Sequence, residues 1–89
     1  MAHSLSAKKR VRQNVKARAR NRWRLRTMRT AIKDFDEQML HGSYEQAEQA
    51  FRAACAVLDK TAGKGVIHKN QAGRRKSRMA AKLKAKRAG

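Results

Sequence analysis

Lys8, Lys9, Arg10, Arg12, Lys16, Arg18, Arg20, Arg22, Arg24, Arg26, Arg29 and Lys33 carry every side-chain charge in the first 33 residues, with no acid among them. A second acid-free run closes the chain: Lys60, Lys64, Lys69, Arg74, Arg75, Lys76, Arg78, Lys82, Lys84, Lys86 and Arg87. The six carboxylates, Asp34, Asp36, Glu37, Glu45, Glu48 and Asp59, share one central window that Arg52 already offsets in part. Ammonium and guanidinium groups at this density bind oxyanions, and guanidinium forks suit paired phosphate oxygens. The formal charge of +18 over 89 residues, with a pI near 11.7, points to nucleic acid or another anionic surface. Such a distribution cannot neutralise itself. It requires a polyanion.

Other chemistries find little support. His3, His41, His68 and Cys55 lack metal-ligand spacing, so no metal or other cofactor is expected. No nucleophile motif, paired-carboxylate constellation or phosphate-cradling loop occurs, and the glycines from Gly63 to Gly65 do not make a P-loop; neither an enzyme nor a small-molecule substrate is expected. One cysteine excludes an internal disulfide and fits a reducing, cytoplasmic setting. The longest apolar run, Ala53 to Leu58, is far too short to span a bilayer, and the basic start is not followed by the apolar segment of a secretory signal. The Arg-rich, acid-free first third does match a mitochondrial presequence in composition, but cleavage there would leave the equally basic last third unexplained.

The elements that position the cations are helical. Proline is absent, and Ala, Arg, Lys and Gln are abundant. Leu25, Met28, Ile32, Phe35 and Met39 step by three and four, as do Tyr44, Ala47, Phe51, Ala54 and Leu58, so each set lies on one side of a helix and the two sets face each other. Between them, Gly42 suits a left-handed residue after a helix end, and Ser43 with Gln46 has capping-box spacing. The glycines at 63 and 65 mark a second break. A third helix then starts at Val66 or Ile67, with His68, Ala72, Met79 and Leu83 as a narrow, weakly packed face. Arg18 to Arg26 alternate with other residues as in an edge strand, but Ala and Arg favour helix and no partner strand exists. The expected fold is all-α. It is a single domain over 1–89, a three-helix bundle with a long, protruding basic N-terminal helix. Helices are expected over about 8–41, 44–61 and 66–86, after a flexible tail over about 1–8.

Trp23 lies off the apolar stripe, nearly opposite Ile32 on a helix. It either closes one end of the bundle, the simpler reading, or stacks on a base or sugar. With Trp23, Tyr44, Phe35 and Phe51 as the whole aromatic inventory, base stacking is not the expected main mode. Recognition of backbone and shape by Arg and Lys is.

Specific residues then resemble a known family. Ser6-Ala7-Lys8-Lys9-Arg10, Met28-Arg29-Thr30 with Ile32-Lys33, and Lys64-Gly65-Val66-Ile67-His68-Lys69-Asn70 with Ala72, Arg74 and Lys76 are similar, in register, to the S-twenty (S20) family of bacterial small-subunit ribosomal proteins. The stretch from Gly65 to Asn70 is the most specific, because a merely basic helix needs no Gly, Ile, His and Asn in that order. Trp23 and the dense arginine alternation depart from the family's pattern. The resemblance implies a non-enzymatic three-helix bundle that binds 16S ribosomal RNA within the small subunit, contacting its 5′ domain and long 3′ minor-domain helix. RNA would lie on the basic start of the first helix and the N-terminal part of the third.

Read together, these signals give a candidate RNA-binding set of Ser6, Lys8, Lys9, Arg10, Arg12, Lys16, Arg18, Arg20, Arg22, Arg24, Arg26 and Arg29 in the first segment. Lys64, His68, Lys69, Asn70, Arg74, Arg75, Lys76, Ser77, Arg78 and Lys82 complete it in the third. The cations would meet phosphates, while His68, Asn70 and Ser77 would fix register by hydrogen bonds. No obligate homo-oligomer is expected. The rival readings are a histone-like DNA-compacting protein, which shares the charge, and a membrane-active amphipathic helix, which would need an exposed apolar face.

Overall fold

With no proline to interrupt it, the first helix propagates through every ambiguous stretch. The computed structural model describes residues 5–88, the side chain of Leu5 excepted, as α1 (Leu5–His41), α2 (Tyr44–Gly63) and α3 (Lys69–Ala88). The alternating arginines are helical, and no strand forms among the described residues. Helix begins at Leu5, earlier than expected, so residues 5–8 are not a tail; the rest of that expected tail, 1–4, lies outside the described residues, as does His3.

Both connections are built from local hydrogen bonds. Between α1 and α2 the capping box is complete: Ser43 Oγ accepts from the Gln46 N–H at 3.2 Å, and Gln46 Oε1 accepts from the Ser43 N–H at 2.9 Å. Gly42 is not left-handed, against expectation, because Gly65 is the residue with positive φ (75°) among those described. Crowding explains Gly42 instead, since a Cβ there would meet the Gln38 carbonyl oxygen at 2.9 Å. After α2 the left-handed Gly65 donates to Ala62 O at 2.9 Å and Val66 donates to Thr61 O at 3.2 Å, a Schellman arrangement that closes the helix end.

The chain then needs three more residues before α3 can start. Ile67 is buried, which anchors the turn to the core. His68 is the N-cap rather than a member of the helical face: its Nδ1 accepts from the Asn70 N–H at 3.0 Å, and its carbonyl accepts from Gln71 and Ala72. Thus α3 begins at Lys69, later than the Val66 or Ile67 of the sequence reading.

α2 runs antiparallel to both neighbours and lies between them. It buries Ala47, Ala50, Ala54, Leu58 and Thr61, a face wider than the expected stripe because it serves two partners. Phe35 and Leu58 are fully buried, and the Phe35 and Phe51 rings pack tilted at 6.0 Å between centroids. α3 contributes Ala72, Met79 and Leu83 and touches α1 chiefly at the far end, where Lys86 Nζ donates to Met39 O at 3.0 Å. Four of the ten buried apolar residues are alanine, so the core is thin.

The first half of α1 has no such support. From Ser6 to Arg22 its side chains are exposed, apart from half-buried Ala7 and Ala17, and Val11 and Val15 stand 62% and 60% open. This projection, about 27 Å long at 1.5 Å per residue, raises the radius of gyration to 17.8 Å. A compact chain of this length would give about 12 Å.

Because so much of a small core converges on Phe35, Phe35→Ala is expected to remove about 3–5 kcal/mol. That is most of a small domain's stability, and urea unfolding followed by circular dichroism should show the cooperative transition largely lost.

Candidate nucleic-acid interface

Helical spacing sorts the α1 cations into two rows. Arg18, Arg22, Arg26, Arg29 and Lys33 recur at intervals of three and four on one flank of the apolar stripe. Lys9, Arg12, Lys16 and Arg20 form a second row, and Trp23 continues it. All are exposed, and so are Ser6, Lys8 and Arg10 near the helix start. Arg24, half-buried, faces α2 instead. No acid lies in the first turn of α1, so its positive dipole end adds to the basic charge. On the projection no other element covers either row, and a polyanion can wrap it from more than one side.

The second basic surface is the outer face of the first half of α3. Lys69, Asn70, Gly73, Arg74, Ser77 and Arg78 line one shallow groove there. Its first turn also lacks acids. Arg75 lies beside this face, half-buried, with its Nε shielded and without a hydrogen-bond partner among the described residues. A donor in that state calls for an acceptor from outside. Lys64 stands exposed on the turn that leads into this surface, next to exposed His68, whose Nδ1 is occupied by the cap.

Sequence reasoning passed over Gly73. It sits inside a helix, where glycine costs about 1 kcal/mol relative to alanine, and a Cβ there would meet nothing within 4 Å. Nothing inside the protein requires it. It sits in the middle of a cationic groove, where the missing side chain leaves the helix backbone open to close approach. An unexplained glycine amid Lys69, Arg74 and Arg78 was the available signal.

Internal acids claim some of the expected site residues. Lys76 Nζ donates to Asp59 at 2.7 Å, and Lys82 Nζ lies 3.8 Å from Asp36. Arg52 pairs with Glu48 at 2.8 Å, and Arg87 stacks over Tyr44 at 5.9 Å. Lys76 in the first half of α3, and Lys82 and Arg87 further on, therefore serve side chains of α1 and α2, while the other cations from Lys69 to Arg78 show no ion pair among the described residues. Five of the six acids lie toward the α1–α2 turn, and Asp59 lies toward the other end of α2. Cys55 is half-buried next to this network; burial, above all, raises its pKa from 9.0, with Lys76 opposing and Asp59 adding, which keeps it a thiol at neutral pH. No group of metal-holding side chains occurs among the described residues, and no described helix is long and apolar enough to cross a membrane.

A small helical hub with two open cationic surfaces, and all its acids on α1 and α2, is the build of a polyanion-binding scaffold protein. Residues 2–84 match the family described as Ribosomal protein S20, and the chain belongs to that family, whose role is structural rather than catalytic. It is 46% identical over 85 residues to "Small ribosomal subunit protein bS20" of Nitrosomonas eutropha, covering 96% of this chain and 98% of that one. The bS20 proteins of Acinetobacter baylyi and Acinetobacter baumannii are 48% identical over the same length, covering 96% of this chain and 96% or 97% of theirs. The Gly65–Asn70 stretch that carried the resemblance is the segment that closes α2, anchors Ile67 and caps α3.

Two outcomes are expected. Gly73→Ala should stabilise the fold by up to about 1 kcal/mol yet weaken polyanion binding; a more stable variant with unchanged affinity would show that the bare backbone is not used. The hydrogen bond to Asp59 raises the Lys76 pKa above 10.5. A raised lysine pKa stabilises the fold below the unfolded value and the contribution is lost as pH rises through the folded value. The melting-temperature difference between wild type and Lys76→Gln should therefore hold at neutral pH and shrink above about pH 10.5.

Proposed function

We propose that this protein binds 16S ribosomal RNA directly and stabilises its fold within the small ribosomal subunit of the cytoplasm, with no catalytic step. The observation that carries this reading is the division of charge: cations are left open on the α1 projection and the outer face of α3, while internal acids pair with Lys76 and Lys82. Names of the similar proteins place them in the small subunit, which supports the same assignment here. RNA helices that pack together bring phosphates into mutual repulsion. Lysines and arginines from two surfaces of one elongated body replace the counterions that would otherwise have to remain there.

The two surfaces divide the work. Lys8, Lys9, Arg10, Arg12, Lys16, Arg18, Arg20 and Arg22 would enter between RNA segments on a helix too thinly supported to stand on its own packing. Lys69, Arg74, Arg75 and Arg78 would hold a backbone against Gly73, with Asn70 and Ser77 supplying hydrogen bonds that fix register. Recognition of this kind reads shape and phosphate spacing rather than base edges.

Titrating the protein with 16S RNA at increasing salt tests the proposal. With ten or so phosphate contacts, log affinity should fall against log salt with a slope of roughly −7 or steeper. Structured ribosomal RNA should also outcompete random duplex DNA. Equal affinity for duplex DNA of any sequence would instead favour a DNA-compacting role, and vesicle binding that survives high salt would favour a membrane role.

A further inference from the structure

Trp23 is accounted for neither by the core nor by the cation rows. At 65% exposure it does not close the bundle end. It forms one wall of a groove of about 420 Å³ between α1 and the end of α2, with Val57 part of the lining and Arg24, Lys60 and Lys64 around it. That volume lies within the range of clefts that hold small organic groups. No carboxylate lines the groove.

At the nearby C-terminal end of α2 the negative dipole is offset by Lys60 and Lys64, and the last carbonyls are already hydrogen-bonded. Lys60 O, Thr61 O and Ala62 O already accept from the Lys64, Val66 and Gly65 N–H groups. The two threonines that complete the lining have committed their hydroxyl protons, Thr27 to Trp23 O at 3.0 Å and Thr61 to Val57 O at 2.7 Å. Their oxygens remain as acceptors. One site therefore combines an indole face, an apolar side chain, three cations and hydroxyl acceptors.

We infer that this groove holds a single nucleotide turned out of the RNA, its base stacked on the Trp23 indole and its phosphates held by Lys60, Lys64 and Arg24. The inference rests on the RNA-binding reading above and adds a site to it. Bases within a duplex present only their edges, so the occupant comes from a bulge, a loop or a strand end. Position supports the same occupant: the groove lies where the projecting half of α1 leaves the bundle, and Trp23 continues the row formed by Lys9, Arg12, Lys16 and Arg20. A backbone following that row arrives at the groove.

Trp23 is the chain's one tryptophan, so its emission reports on the site directly. With the full chain and a 16S RNA transcript, binding should quench and shift that emission. Trp23→Ala should bind roughly 5- to 150-fold more weakly, the span of a single base stack, with Trp23→Phe intermediate. Melting of both variants by circular dichroism should match wild type, since the side chain is exposed. The loss should persist at high salt, where that of a Lys60→Gln, Lys64→Gln double variant fades. Unchanged emission at saturating RNA, together with wild-type affinity of Trp23→Ala, would overturn the nucleotide site and leave RNA binding intact. Failure of the wild-type protein to bind the transcript at all would overturn both.

Discussion

Uncompensated positive charge is the constraint on which the rest of this structure depends. A formal charge of +18 on 89 residues opposes compaction, and the core that must resist it is small and rich in alanine. The fold meets this conflict by separation. The six acids all lie on α1 and α2, where Lys76, Lys82 and Arg52 meet three of them, and half of α1 is carried clear of the bundle, which spreads its cations away from those of α3. Neutralisation of what remains open has to come from outside.

This arrangement also explains the division of labour among the helices. α2, with the fewest cations and a face of Ala47, Ala50, Ala54 and Leu58, is the hub on which both basic helices pack. α1 and α3 can then devote most of their surface to charge, since each needs only one narrow apolar row. Family membership gives the charge a setting in the ribosome, and the layout gives it two outlets: the projecting half of α1 and the outer face of α3.

The sequence displayed the hub plainly. Steps of three and four in Leu25–Met39 and Tyr44–Leu58 identified both packed helices, and Ser43 with Gln46 located the turn, because these signals act within a few residues. What it concealed depended on neighbours distant in the chain or on local bonds without a residue code. Gly42 is fixed by contact with Gln38 rather than by handedness, and the left-handed position belongs to Gly65. His68 leaves the expected apolar face to cap α3, a task more often given to Ser, Thr, Asp or Asn. The cationic site was legible as composition, yet the capture of Lys76 and Lys82 by Asp59 and Asp36 requires the tertiary fold. Gly73 and the Trp23 groove became interpretable only when their surroundings were in place.

The central claim is that one elongated, charged body holds separate RNA segments together by their backbones. Hydroxyl-radical mapping of 16S RNA with and without the full-length protein addresses it most directly. The account predicts protection of sugar–phosphate positions in at least two segments that are distant in the RNA secondary structure. Protection confined to one continuous helix, or changes at bases with the backbone untouched, would contradict it.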